Sequence, residues 1–291
     1  MNKLVAGLLA LAAPAAASAQ SFAAFGDYGN QSGANAVAAF VKSRNPDHIL
    51  SLGDQCYEAT PSIAEQVGNK YATFVKAKRF WPAVGNHEFT DGCGGGGGAK
   101  GYFSYFSLPN NERYYDVVLG NVHLFVLNSN AGLTQEPSGT SATSVQAQWL
   151  KLKLAGSRSP WKIVMFHHPA YTSGEHGNAR RMQWPFEAWG ATAVISGHDH
   201  GYERFMKDAN GDGRKMPYFV SGLGGAERRA FGVIKAGSVA RYNAAFGALF
   251  INATSTALDF KFLNVQGRQI DSLRLTKSTS SLSTSDFRVC C

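Results

Sequence analysis

The sequence predicts one compact α/β domain built on two β-sheets. Three observations carry that reading. Short apolar runs alternate with segments of helical spacing early in the chain, the closing part reads mostly as strand, and no proline-rich linker or internal repeat divides it. The chain has 291 residues, 44% of them apolar and 16% charged, which excludes a disordered or collagen-like protein. A net charge of +8, spread along the chain, suits an anionic small molecule as well as it suits nucleic acid. Four cysteines are too few for a disulfide scaffold.

The first residues stand apart from the fold. Lys3 precedes an apolar run from Leu4 to Ala13 that is too short to span a bilayer, and Ala17-Ser18-Ala19 matches a small-x-small cleavage site. Residues 1–19 are therefore expected to be a secretory leader, 20–276 the folded domain and 277–291 a flexible Ser/Thr-rich tail. No cysteine follows the cleavage site, which argues against a lipoprotein, and no later apolar run reaches the length of a membrane span. The expected location is periplasmic or secreted. Export permits disulfides, and of the three pairings open to four cysteines Cys56–Cys93 is favoured, the alternative being two buried thiols. Cys290 and Cys291 end the chain without an assigned role.

Taken in order, Phe22 to Phe25 is an apolar run that reads as a buried strand running into Gly26-Asp27-Tyr28-Gly29. Ala34 to Val41 has helical spacing, and His48 to Leu52 is a second strand that again ends in Gly-Asp. Ile63 to Lys78 is helical, and Trp81 to Val84 leads into Gly85-Asn86-His87-Glu88. Asp91 to Gly101 contains seven glycines and no periodicity, so a flexible loop is expected. Tyr114 to Val118 and Val122 to Leu127 form a hairpin about Gly120-Asn121. Val145 to Leu154 is a helix with Trp149 and Leu150 inward. Lys162 to Phe166 and Ala191 to Ile195 are short buried strands, and Tyr218 to Ser221, Ala248 to Ala253, Leu258 to Leu263 and Ile270 to Leu275 close the chain.

Five of these strand ends deliver a residue able to bind a metal. They are Asp27, Asp54 with Tyr57, Asn86, His167, and the pair His198 and His200 in Gly-His-Asp-His. One such block means little in a chain with 32 glycines. Together they place carboxylate, phenol, amide and imidazole groups just beyond the carboxyl ends of strands, where α/β sheets form ligand sites. His198 and His200 share a side if their segment is extended, or reach two ions if it leaves a turn. Hard oxygen donors with imidazoles suit iron, zinc or manganese, and the lack of thiolates argues against a structural zinc site.

This ordered set resembles the five blocks of the purple acid phosphatases, within the calcineurin-like metallophosphoesterases. The resemblance runs from Phe25 to about Leu275 and includes Val220-Ser221-Gly222-Leu223-Gly224-Gly225. Most metallophosphoesterases carry Asp-x-His in the first block. Here Gly29 stands at that histidine's place, and Tyr57, three residues after Asp54, replaces it. The implied fold is a four-layer αββα sandwich, two mixed β-sheets flanked by helices. The implied centre holds a ferric ion on Asp27, Asp54, Tyr57 and His200, and a divalent iron, zinc or manganese on Asn86, His167 and His198, with Asp54 bridging. The implied reaction is hydrolysis of phosphomonoesters at acidic pH by a hydroxide that bridges the ions. His87 and His176 would contact substrate and protonate the leaving group, so the expected partners are a small phosphorylated substrate and phosphate. The N-terminal sandwich domain that plant members add is not expected, because Asp27 follows so soon after the predicted cleavage site. The alternatives are a phosphodiesterase or nucleotide pyrophosphatase of the same superfamily, and a non-catalytic phosphate- or metal-binding protein.

Other motifs weigh less. His168 follows a ligand and is expected to point the other way, His123 reads as a strand histidine, and His48 needs no role. Asp208 to Gly213 mimics an EF-hand start but has Phe219 where a bidentate Glu is required, so a hairpin turn is the better reading. Asn252-Ala253-Thr254 is a glycosylation sequon on paper, set aside because it lies in an apparent strand. Arg180-Arg181 and Arg228-Arg229 lack interleaved aromatics, so no specific nucleic-acid partner is expected.

Overall fold

Strands covered on both faces need apolar side chains on both, and the N-terminal strands have them at their centres. In β1 (Gln20–Phe25) and β2 (His48–Ser51), Phe22, Ala24 and Leu50 face one apolar cluster while Ala23, Phe25 and Ile49 face another. The structure is a computed structural model that describes residues 18–277 apart from Ala59 and Ala209. The expected leader, the Ser/Thr-rich tail, Cys290 and Cys291 lie, except for Ser18, Ala19 and Lys277, outside the described residues.

One sheet has six strands in the order β13 (Gln269–Thr276), β12 (Ala257–Asn264), β11 (Gly247–Ala253), β1, β2, β3 (Phe80–Pro82). The other has seven, in the order β10 (Ser238–Tyr242), β8 (Tyr202–Lys207), β9 (Met216–Ser221), β7 (Ala193–Ser196), β6 (Trp161–Met165), β5 (Val122–Val126), β4 (Tyr115–Leu119). Both are mixed: β1, β2 and β3 run parallel, as do β5, β6, β7 and β9, with antiparallel hairpins at the margins. Pro82 sits in an edge strand, where a missing N–H is tolerated.

The inner faces of the two sheets share one apolar core that contains Leu50, Leu124, Ile163, Met165, Ile195, Phe219 and Leu249. The outer face of the first sheet packs on α1 (Ala34–Arg44) and α2 (Ile63–Lys76) through Val37, Val41, Val67 and Phe74. Phe125, Val164 and Val194 on the outer face of the second meet α5 (Val145–Gly156) at Ala147, Leu150 and Leu154. This is the αββα arrangement, and it brings the carboxyl ends of β1, β2, β3, β6 and β7 to one end of the sandwich.

The glycine-rich loop is more ordered than its composition predicts. A turn of 3-10 helix covers Gly92–Gly94, and α4 (Lys100–Tyr105) follows it. Local sequence opposes helix there, but tertiary packing supplies it: Tyr102 is buried, and its hydroxyl donates to the Pro82 carbonyl at 2.8 Å. Cys93 is disulfide-bonded to Cys56, the pairing favoured on sequence. The bridge closes a separation of 37 residues and ties this loop to the one that carries Asp54 and Tyr57. Replacing both cysteines with serine is expected to cost about 3–4 kcal/mol of stability on the chain-entropy account. Denaturant titration of the double variant checks this, and a loss below about 1 kcal/mol would mean the bridge holds nothing the core does not.

Strand β8 lacks an alternating apolar pattern because a polar pair helps hold it. Arg204 of β8 makes a two-pronged ion pair with Asp271, at 2.6 and 2.9 Å. The segment Asp208 to Gly213 turns the β8–β9 hairpin, with the Asp208 carboxylate accepting from the backbone N–H groups of Asp212 and Gly213. Trp149 is half-buried and rests edge-on against Tyr114, while Leu150 is fully inward.

Candidate metal centre

Three of the sequence-predicted residues sit at sharp turns. Asp27, Asp54 and His198 all have positive φ, at 62°, 50° and 71°. That conformation is uncommon outside glycine, and it aims the side chains into the crevice between the sheets rather than onto a sheet face. The neighbouring chain comes close enough that Gly53 and Gly85 admit no side chain. A Cβ at Gly53 would lie 2.4 Å from His167 Nδ1, and one at Gly85 would overlap the Asp54 carboxylate.

Two groups of donors result. On one side the Tyr57 hydroxyl lies 3.0 Å from His200 Nε2 and 3.4 Å from Asp27 Oδ1. On the other, His167 Nε2 lies 3.0 Å from Asn86 Oδ1, 3.1 Å from His198 Nδ1 and 3.1 Å from Asp54 Oδ2. Donor atoms of Asp27, Asp54 and His167 all fall within 4.8 Å of one another, which joins the groups through the two carboxylates. His198 and His200 thus diverge to the two sides, the outcome a turn permits and an extended segment does not.

The imidazoles are fixed from behind. His167 Nδ1 donates to the Leu52 carbonyl at 2.8 Å, and His200 Nδ1 donates to the Glu227 carbonyl at 2.6 Å. Those bonds leave both Nε2 atoms facing inward, the arrangement that metal-binding histidines take. The Asp27 carboxylate accepts the His198 backbone N–H through both oxygens.

Burial opposes every charge in the cluster. It raises the Asp27 carboxyl well above the usual carboxylate range and pushes the Tyr57 phenol up, each with neighbouring carboxylates adding to the effect. Burial and the surrounding imidazoles hold His198 well below its ordinary value. Asp54 and His167 resist their own burial by pairing: Asp54 is lowered to about 2 and His167 raised to about 9. Lone pairs that converge at about 3 Å with few protons to share repel one another unless a cation lies between them. Two carboxylates, a phenol, an amide oxygen and three imidazoles are a donor set that fits such cations.

His87 and His176 stand on opposite sides of this cluster. The His87 ring packs on Tyr57 at 4.4 Å, with Nε2 at 4.0 Å from Asp54 Oδ2, and its Nδ1 pairs with Asp91 at 2.6 Å. The His176 ring packs on His198 at 4.3 Å, and its backbone N–H donates to Asp199 Oδ1 at 3.2 Å. His168 does not turn away. Its ring lies 4.4 Å from that of His198, because the chain has left β6 before His167 and the alternation of a strand no longer applies. His123 pairs with Asp116 at 2.9 Å, away from the cluster.

Sequence reasoning missed three supporting residues. The buried Glu88 carboxylate accepts the backbone N–H groups of Asp54, Gln55, Cys56 and Gly85, and so gathers the whole Asp54 loop. Its signal was present, since a Glu at the third position of a helix that starts at a tight turn is a capping residue. Asp91 lies four residues past His87, a helical spacing that foretells contact. Arg229, whose Nη1 donates to His176 Nε2 at 3.0 Å, had no such signal, being 53 residues away.

Residues 21–202 match the Calcineurin-like phosphoesterase family, and the chain belongs to it. Its relatives include proteins named as acid phosphatases. It is 27% identical over 263 residues to tartrate-resistant acid phosphatase type 5 of Homo sapiens, covering 76% of this chain and 78% of the relative. To purple acid phosphatase 22 of Arabidopsis thaliana it is 28% identical over 213 residues, covering 65% and 46%. Purple acid phosphatase PPD1 from yellow lupin (Lupinus luteus) shares the fold at a TM-score of 0.74 and 18% identity, over 89% of this chain and 54% of the lupin chain. GAP50, the anchor in the inner membrane complex of Plasmodium, also shares it at a TM-score of 0.64 and 16% identity, over 89% of each chain. The chain is a purple acid phosphatase-like metallophosphoesterase.

Proposed function

We propose that this protein is an exported acid phosphatase that hydrolyses phosphomonoesters at a dinuclear centre. The observation that carries the proposal is the convergence of seven donors with two further histidines flanking them. Asp27, Tyr57 and His200 include the anionic donors that favour a ferric ion, whereas Asn86, His167 and His198 are neutral donors suited to divalent iron, zinc or manganese. Asp54 reaches both groups and is assigned to both ions. When bound, the two cations supply Lewis acidity toward the phosphoryl oxygens and acidify a water nucleophile.

The protein's own residues then position and protonate. His87, held through Nδ1 by Asp91, keeps Nε2 toward the centre. His176, held through its backbone by Asp199, packs its ring on that of His198, and with Nε2 accepting from Arg229 its proton is carried on Nδ1. Each is placed to meet a phosphoryl oxygen or the departing alkoxide, and proton donation there is worth about 10²–10⁴ in rate. A phosphate-binding protein without catalysis would need neither histidine. The GAP50 likeness shows that the fold alone does not decide this point, so the reading rests on the side chains.

The test is metal analysis of the purified protein together with hydrolysis of p-nitrophenyl phosphate and its bis-ester. Two metals per chain and a preference for the monoester support the reading; a preference for the diester would move it to the phosphodiesterases. His176→Ala is expected to slow alkyl phosphates by about 10²-fold or more and p-nitrophenyl phosphate much less, since the latter's leaving group needs no proton. Equal losses on both would mean that His176 only binds. No helix among the described residues is long and apolar enough to cross a membrane. Protein recovered from the periplasm or medium is expected to begin at Gln20, and N-terminal sequencing that finds Met1 there would reject the leader.

A further inference from the structure

The pair Arg228-Arg229 borders a cavity beside the metal centre. The cavity measures about 600 Å³ and is walled by Gln31, Ser32, Arg228, Arg229, Asn243 and Phe246, with Glu227 as its one acidic residue. That volume takes the leaving portion of a small-molecule substrate rather than a lone ion. Arg228 builds the wall: its Nη1 donates to the Asn243 and Ala244 carbonyls, and its guanidinium lies 5.5 Å from the Phe246 ring centroid. Arg229 faces two ways. It lines the cavity, and its Nη1 also reaches His176 Nε2 at 3.0 Å.

The backbone around Arg229 is pinned to the metal-centre loops at several points. The Ala226 N–H donates to the Asp27 carbonyl at 2.8 Å, the Arg229 N–H to the His200 carbonyl at 3.1 Å, and Asn243 Nδ2 to the Arg229 carbonyl at 2.8 Å. Gly232 N–H donates to the Ser173 carbonyl at 2.8 Å, which fastens the same loop to the segment that carries His176. The main chain of Arg229 is therefore held at a fixed place one side chain away from the donor cluster. Its acidic partner is Glu175 at 3.5 Å, on an exposed side chain, a contact weak enough for a ligand anion to displace.

We propose that Arg229 is the core of an anion subsite that binds a second acidic group of the substrate, so that the preferred substrates are phosphoesters whose leaving portion carries a further phosphate or carboxylate. Guanidinium pairs with either group through two parallel N–H bonds, which lysine cannot reproduce. The inference rests on the phosphatase reading for the first phosphate but is tested by binding, so that the two can fail separately.

The probes are methylphosphonate and methylenediphosphonate, titrated calorimetrically into the metal-loaded wild type, Arg229→Gln and Arg229→Lys. The wild type is expected to prefer the diphosphonate by about tenfold or more, as a charge-assisted pair implies. Arg229→Gln should remove most of that preference, and Arg229→Lys should restore part of it. In steady state, Arg229→Gln should raise KM for pyrophosphate by about tenfold more than for p-nitrophenyl phosphate. Equal weakening toward both phosphonates would assign Arg229 to supporting His176 and overturn the subsite, as would a wild type with no preference. Preferential binding of the diphosphonate by a protein that hydrolyses nothing would leave the subsite standing and sink the enzyme instead.

Discussion

Asp54→Ala is expected to abolish turnover, with a fall of about 10³-fold or more, and to leave at most one metal per chain. One carboxylate lies between the donor groups: Oδ2 is 3.1 Å from His167 Nε2, donor atoms of Asp54 and Asp27 fall within 4.8 Å of one another, and Oδ1 accepts the His87 backbone N–H at 3.0 Å. Its loss removes a shared anionic donor, frees the backbone of His87 and leaves His167 buried without its counter-charge. No neighbour can take over, because Asp27 already accepts from His198 and the Glu88 carboxylate is committed to four backbone N–H groups. Each tenfold in rate corresponds to about 1.4 kcal/mol, so a 10³-fold loss asks about 4 kcal/mol of the bridging interaction, within the range for transition-state charge stabilisation. Metal analysis and kinetics on a variant whose circular dichroism matches the wild type would check it. Near-native turnover with two metals bound would rule out the shared assignment.

The candidate site was legible because it is built from strand ends. An apolar run that stops at Gly-Asp, Gly-Asn or a pair of histidines announces both a buried strand and what that strand delivers. The fold class followed from the same runs, since β1, β2, β6 and β7 each carry consecutive apolar residues that face both sides of the sheet. What escaped the sequence depends on contacts distant in the chain. Strand β8 carries Arg204 in an otherwise mostly buried stretch, because Arg204 finds Asp271 only after the sheet has formed. Helix α4 follows a glycine run that disfavours helix, and it is held by Tyr102 docking onto β3. Arg229 reaches His176 across 53 residues, and no periodicity reports such a pair.

The last expectation concerns Tyr57 and Gly29, and it has an electronic and a steric part. A phenolate on ferric iron absorbs visible light, so the wild type is expected to be coloured and Tyr57→Phe colourless. The reduction potential of that iron should rise with the loss of an anionic donor, while turnover falls by no more than about tenfold because Asp54, His87 and His176 stay in place. The steric part explains why glycine accompanies the tyrosine. Gly29 has φ +44°, and a Cβ there would sit 2.8 Å from Tyr57 Cδ2 and 3.1 Å from Gln66 Oε1. The tyrosine ring thus occupies the space that a side chain at position 29 would need. Gly29→His alone is expected to expel Tyr57 from the centre, bleach the colour and destabilise the fold by about 1–3 kcal/mol through overpacking and strain. Adding Tyr57→Ala to Gly29→His should recover most of that stability without recovering the colour. An iron-free, colourless and fully active wild type would place Tyr57 as a packing residue and move the chain to another branch of the metallophosphoesterases. A Gly29→His variant that stays coloured would show that the two positions are independent.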